Sequence, residues 1–242
     1  MRRLSAVAVL PMTIACESPS SGEGELGNVH YSLSSRHSVP GELTEVGIVT
    51  GHPQLVETAL TEQGAKSTNR PKSARHFISG GGRAENQDGT DALPDVVLTV
   101  STPGTYLLET LDNEGLLDKI ELTFTAPNQV GLQTWVKGPD ATDFNERNAP
   151  SVPVEVGAQV ALLPIPLRGQ QRLAGSYELE LSVEPPSGVV VPADVQAVYE
   201  QSVWWSHNER SVIFVEEGEV VVTLTDVPNG ISTSQTLSLI HI

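Results

Sequence analysis

From Val29 onward, short runs rich in Val, Leu, Ile, Thr and Tyr recur between Gly, Pro, Asn and Asp, and no long stretch keeps a helical period. Strict alternation sends successive side chains to opposite faces, so each run can bury one face and wet the other. That constrains the chain to antiparallel β architecture. In the first half the pattern predicts strands at 29–33, 43–49, 55–60, 75–78, 96–100, 105–111 and 119–125. A short linker at 126–129 follows. The second half predicts strands at 132–136, 152–156, 159–165, 176–183, 189–191, 195–199, 202–205, 211–215 and 219–225. Pro164 and Pro166 cannot donate to a ladder, so their strand is expected at an edge or to end early. Two modules result, 29–126 and 130–230, each large enough to fold by burial alone. They must do so, because Cys16 is the only cysteine and no disulfide can form within the chain.

The clearest piece is Pro103 to Ala126. Tyr106, Leu108 and Thr110 alternate with Leu107, Glu109 and Leu111; Asp112-Asn113-Glu114-Gly115 supplies turn chemistry; Ile120, Leu122 and Phe124 alternate with charged or hydroxyl residues. The Pro103-Gly104-Thr105-Tyr106 lead-in resembles the closing hairpin of immunoglobulin-like domains, with Tyr106 at that family's tyrosine position and the family's disulfide absent. Leu162 to Leu179 is similar to the middle of a bacterial immunoglobulin-like module, and Gly218 to Thr225 to its last strands. The resemblance implies an all-β fold: two tandem immunoglobulin-like β-sandwich domains after a signal peptide and a short linker. The two halves share no close sequence repeat, so their kinship is expected from strand rhythm.

Ahead of the modules, Arg2 and Arg3 form a positive patch and Leu4 to Ile14 an apolar run of about a dozen residues. A membrane-spanning helix needs roughly 20, so the run suits a cleaved leader. It ends at Thr13-Ile14-Ala15-Cys16, which resembles the lipobox of bacterial lipoproteins, with Thr13 where that family usually has Leu. The resemblance implies cleavage after Ala15, leaving residues 1–15 as signal peptide. It implies acylation of the Cys16 thiol and of the new N-terminus. Each buried methylene contributes roughly 0.8 kcal/mol, so several acyl chains hold a protein on a bilayer where one barely does. Residues 16–28, rich in Ser, Gly and Glu, are expected to form a lipidated tether too polar to pack. Glu17, in place of the Asp associated with inner-membrane retention in enteric bacteria, favours the outer membrane of the envelope.

Removing Met1 to Ala15 takes two of the 14 basic residues and none of the 30 acidic ones, so the net charge deepens from −16 to −18. Phosphate binding needs a basic surface, which argues against nucleic acid as partner. The same charge repels anionic headgroups, so the membrane is expected to be held through lipid alone. Residues 237–242, Leu-Ser-Leu-Ile-His-Ile, resemble the in-frame translation of a transposase sequencing adapter. On that resemblance they are foreign to the protein, and a third module is expected to have been cut off beyond Gly230.

Few residues suggest chemistry. Asp88, Asp91 and Asp95 place oxygen donors around Gly89, a calcium-compatible set, but the spacing departs from an EF-hand loop and Asx/Gly is ordinary turn composition. Gly80-Gly81-Gly82 precedes no helix and lacks the Lys-Ser/Thr of a phosphate cradle. His30, His37, His52, His76 and His207 stand far apart without metal-ligand spacing. No nucleophile elbow or framed carboxylate pair occurs. No cofactor, metal or catalytic residue is therefore expected. Adjacent strand residues face opposite ways, so one of Trp204 and Trp205 is expected outside the core, an aromatic contact for glycan or protein. Trp135 is expected inside. The function expected is a membrane-anchored envelope lipoprotein acting as a non-catalytic binding, spacing or structural module, with an envelope protein or glycan as partner. The alternative is an accessory β-sandwich region of a secreted enzyme whose catalytic domain lies elsewhere in a longer chain.

Overall fold

A computed structural model describes residues 20–34, 39, 41–61, 74–87, 93–141, 144–146, 151–184, 189–190, 210–214 and 216–240. These residues contain strands and no helix. The first module holds β1 (Ser21–Glu23), β2 (Val29–Leu33), β3 (Gly47–Val49), β4 (Gln54–Leu60), β5 (Arg75–Ile78), β6 (Arg83–Asn86), β7 (Val96–Thr99), β8 (Gly104–Asp112) and β9 (Gly115–Thr125). The second holds β10 (Gln129–Lys137), β11 (Asn145–Glu146), β12 (Ser151–Glu155), β13 (Gln159–Arg168), β14 (Gln171–Arg172), β15 (Glu180–Glu184), β16 (Val189–Val190), β17 (Arg210–Phe214), β18 (Gly218–Asp226) and β19 (Ile231–Ile240).

Each module is two sheets face to face. In the first, β1-β2-β4-β7-β6 covers β3-β9-β8-β5; in the second, β11-β10-β13-β17-β16, with β14 on β13, covers β12-β19-β18-β15. The pairing scheme is the same twice. β2 lies antiparallel to β4 as β10 does to β13, while β3 lies parallel to β9 as β12 does to β19. Leaving aside β1 and the short crossing strand β3, the first module's strands fall in the order one-two-five-four on one sheet and three-six-seven on the other. That is the immunoglobulin-like plan. The repeat that the sequence hides is explicit in the hydrogen-bond ladders.

The first core draws Val29, Tyr31 and Leu33 from β2, Val96 and Leu98 from β7, Leu108 from β8, and Ile120, Leu122 and Phe124 from β9. Each such side chain contributes about 1.5–3 kcal/mol on burial, and this does the work a disulfide would do elsewhere. Tyr106 packs edge-on to Phe124 at 5.6 Å, and its hydroxyl donates to the Thr102 carbonyl at 2.7 Å. This is the tyrosine corner that closes the turn into the sixth strand. The second core gathers Val160 and Leu162 from β13, Val220, Val222 and Leu224 from β18, and Leu237 and Leu239 from β19.

Several boundaries differ from expectation. The polar stretch 20–28, expected as the distal half of a tether, is part of the first sandwich. Ser20 is buried and its hydroxyl donates to the Val39 carbonyl. β1 pairs with β2, and backbone ladders need no apolar side chains. The β1–β2 turn is held by the buried Asp118 on β9, whose carboxylate accepts the N–H groups of Leu26, Asn28, Val29 and Lys119 at 2.7–2.9 Å. A side chain at Gly24 would collide with that carboxylate. The strand expected at 43–49 shortens to 47–49, because Glu45 and Val46 donate to the Glu42 carbonyl in a turn that buries Leu43.

The strand expected from 176 starts at Glu180; residues 174–176 hydrogen-bond across to the first module instead. β13 does not stop at Pro164 but runs to Arg168, paired along its length with β10. Its other side carries β17 only at Gln159 to Leu162, so both prolines stand past that ladder. The second module extends beyond Gly230: β19 closes it, and Leu237 and Leu239, within the adapter-like stretch, are buried there. The strands expected at 195–199 and 202–205 lie outside the described residues.

Candidate functional site

Of the residues singled out for chemistry, Cys16, Asp88, Asp91, Trp204 and Trp205 lie outside the described residues, as do His37 and His207. Asp95 is described and serves its own turn: its Oδ1 accepts the Thr58 N–H at 2.9 Å and its carbonyl accepts the Gln87 N–H at 2.8 Å. Among the described residues no three His, Cys, Asp or Glu stand close enough to hold a metal ion. His30 sits on β2 opposite Ala59. His76 and His52 are buried, and each belongs to a polar network that the sequence did not suggest.

The more consequential network is the joint between the modules. The first module contributes the turn after β3, Thr50 to Pro53, and Gln54 at the start of β4; the second contributes Ala174 to Tyr177 and the β18–β19 turn. Ala174 bridges to Ile48 in parallel, with Val49 N–H donating to Ala174 O at 3.0 Å and Ala174 N–H to Gly47 O at 2.8 Å. Gln54 clasps Ser176 from both ends: its Nε2 donates to the Ser176 carbonyl at 3.0 Å and its Oε1 accepts the Ser176 N–H at 2.6 Å. Gly175 holds φ at +113° and a Cβ there would run into the Gln54 amide, so only glycine fits.

Above this clasp, Asn229 donates through Nδ2 to the Thr50 carbonyl at 3.1 Å and accepts from the Thr50 hydroxyl at 3.2 Å. His52 Nε2 meets Asp226 Oδ1 at 3.2 Å, and the imidazole stands edge-on to Tyr177 at 5.0 Å. Burial alone would raise the Asp226 pKa, but hydrogen bonds from His52 and from the Asn229 N–H and side chain outweigh it and hold the carboxyl below its usual 3.8. Burial, then the Asp226 charge, pushes the Tyr177 hydroxyl far above its usual 10.0. His52 is 3% exposed and Asp226 fully buried. A pair closed to solvent on every side offers no face to a reactant; it is a clamp.

The cores interlock across the same contact, Ala174 packing with the first module's core and Val49 with the second's. The three-residue link, Ala126 to Asn128, is pinned as well: Arg168 Nη1 donates to the Ala126 carbonyl at 3.1 Å and Asn128 N–H to the Leu167 carbonyl at 2.9 Å. One further correspondence concerns glycines. Gly51 (φ +85°) has Pro228 of the second module 2.7 Å from where its Cβ would stand. The matching Gly157 (φ +89°), in the turn between β12 and β13, faces Pro139 of its own module at 3.3 Å.

The joint had no sequence signal, since His52 and Asp226 are 174 residues apart. Gly175 and Gly51 were visible only as turn residues.

No protein-family model and no curated protein matches the chain. Among solved structures it is similar to the Escherichia coli adhesin FdeC, at 14% identity over 91% of this chain and 66% of that one, with a TM-score of 0.32. A C-terminal fragment of intimin, in complex with the intimin-binding domain of its translocated receptor, gives 13% identity over 82% and 64%, TM-score 0.30. Domains 4 and 5 of the S-layer protein SbsC give 11% identity over 91% and 99%, TM-score 0.30. The chain thus spans under two thirds of the adhesin's and intimin fragment's lengths. The sheet order, not these superpositions, makes the chain an all-β pair of tandem immunoglobulin-like sandwiches.

Proposed function

We propose that this chain is a lipid-anchored protein of the bacterial cell envelope, acylated at Cys16 and placed at the outer membrane, whose two sandwiches act as a stiff rod for binding or spacing without catalysis. Its partner on this reading is an envelope protein or glycan. The observation that carries the mechanical part is the joint. Gln54, His52, Thr50 and Val49 meet Ser176, Asp226, Asn229 and Ala174 in buried contacts that leave one orientation of the modules favoured. A flexible tandem would need none of them. The leader and the single cysteine support the anchor.

Growth with labelled palmitate tests the anchor. The mature protein should carry label and sediment with membranes, and Cys16→Ala should abolish both. An unlabelled wild-type product in the soluble fraction would end this reading.

A further inference from the structure

Asn229-Gly230 is the chain's one Asn-Gly pair, and it lies in the β18–β19 turn that grips the first module. Every other asparagine is followed by a residue whose side chain crowds the next backbone nitrogen. Glycine leaves that nitrogen open and the local backbone free to turn. Asn229 therefore has the least hindered side-chain carbonyl for attack by its own main chain.

The closed joint occupies every atom that such an attack needs. Asn229 Nδ2 donates to the Thr50 carbonyl at 3.1 Å and to Asp226 Oδ2 at 2.9 Å, and its Oδ1 accepts from the Thr50 hydroxyl at 3.2 Å. The nucleophile is held as well, with the Gly230 N–H donating to the Asp226 carbonyl at 2.8 Å. Both bonds to Thr50 cross between the modules. Asn229 is half-buried and Gly230 exposed, so water and base reach the turn once those bonds let go.

We propose that Asn229 is a covalent modification site gated by the joint: when the modules part it deamidates, and the product keeps them apart. The Gly230 nitrogen gives its proton to solvent base and bonds to Asn229 Cγ. The Cγ–Nδ2 bond breaks, and ammonia leaves with a proton from water, giving a cyclic imide. Water adding at Cγ opens the imide to aspartate; water adding at the backbone carbonyl opens it to isoaspartate. Either product replaces an amide donor by a carboxylate that only accepts. That carboxylate faces the Thr50 carbonyl and the Asp226 carboxylate with no proton between them, so the clasp cannot re-form. Isoaspartate also inserts a methylene into the backbone of the turn. The pair of modules thereby keeps an irreversible mark of having been opened. The inference rests on the joint fixing the modules, as in the stiff-rod reading above, and not on acylation at Cys16.

The full chain is incubated in mildly alkaline buffer beside a synthetic peptide of residues 224–234, with Asn229 followed by peptide mass and isoaspartate by enzymatic methylation. Folded wild type should convert at least about tenfold more slowly than the peptide, because reaction waits on the open population. Gln54→Ala loses both hydrogen bonds to Ser176 across the same joint and should convert about tenfold faster than wild type. Converted wild type, separated by its added negative charge, should show broadened inter-module angles in small-angle scattering with unchanged circular dichroism, and Asn229→Asp should match it. The proposal is overturned by wild type converting as fast as the peptide, by Gln54→Ala converting no faster than wild type, or by converted protein that scatters like fresh protein. Scattering of fresh Gln54→Ala and Gly175→Ala separates the two readings. If it changes while conversion does not, this inference alone is lost; if both scatter like wild type, the stiff rod is lost and this inference with it.

Discussion

Inside the first sandwich, Tyr31, Thr110, His76 and Pro94 form a single buried chain of hydrogen bonds from one sheet to the other. The His76 Nε2–H donates to the Pro94 carbonyl at 2.7 Å, so its Nδ1 accepts from the Thr110 hydroxyl at 3.0 Å, and Thr110 in turn accepts from Tyr31 at 2.7 Å. Each direction follows from the one before, and the imidazole must be neutral for the sequence of donors to close. Burial lowers the His76 pKa from 6.5, while the Pro94 bond and the Asp95 charge oppose it without prevailing. The unfolded chain therefore binds a proton that the folded one resists. Stability from this residue is complete above about pH 6.5 and falls as the pH drops through 6.5 toward the lower folded value. Urea unfolding between pH 8 and pH 5 should show this decline, and His76→Gln should flatten it. Thr110→Val keeps the shape but strands a donor and an acceptor, and should cost about 2–4 kcal/mol by the same measurement.

The β1–β2 hairpin shows how an element of poor sequence can be secured by one residue far away. Nothing in Ser21-Gly22-Glu23 favours a strand, and the turn after it is polar. The Asp118 carboxylate, fully buried on β9, accepts four backbone donors and makes that turn the cheapest place for the chain to lie. Removing it in Asp118→Ala should destabilise the first module by roughly 3–4 kcal/mol in urea unfolding, with Asp118→Asn intermediate. The neighbouring Lys119–Glu25 pair, open to solvent, should contribute far less by the same measurement.

The contrast explains what could be read in advance. Val29 to Leu33, Arg75 to Ile78 and the Tyr106 to Phe124 hairpin announce themselves because alternation is local. β1 and the joint do not: the carboxylate that secures the β1–β2 turn lies some 90 residues away and the joint's partners more than 100, pairings that local sequence pattern does not display. The two prolines of β13 misled for a related reason: their effect depends on which side of the strand is paired.

At the scale of the whole molecule the joint decides shape. Gln54→Ala removes both hydrogen bonds to Ser176, and Gly175→Ala drives a methyl into the same clasp. Either should broaden the distribution of inter-module angles in small-angle scattering while leaving the circular dichroism of the sandwiches unchanged. Identical scattering from wild type and both variants would show that the orientation is set elsewhere. Asp226 adds an acid limit. Its depressed pKa means the clamp is whole above about 3.8 and loosens as the pH falls below that.

Pro139 carries the same geometry one step outward. At the first module the hollow over Gly51 admits a neighbour's proline; at the second, the hollow over Gly157 is plugged from within. A further unit joined at that end would meet a resident proline where Gly51 meets Pro228 of its neighbour, so the second hollow cannot take a neighbour's proline in the same way unless Pro139 moves.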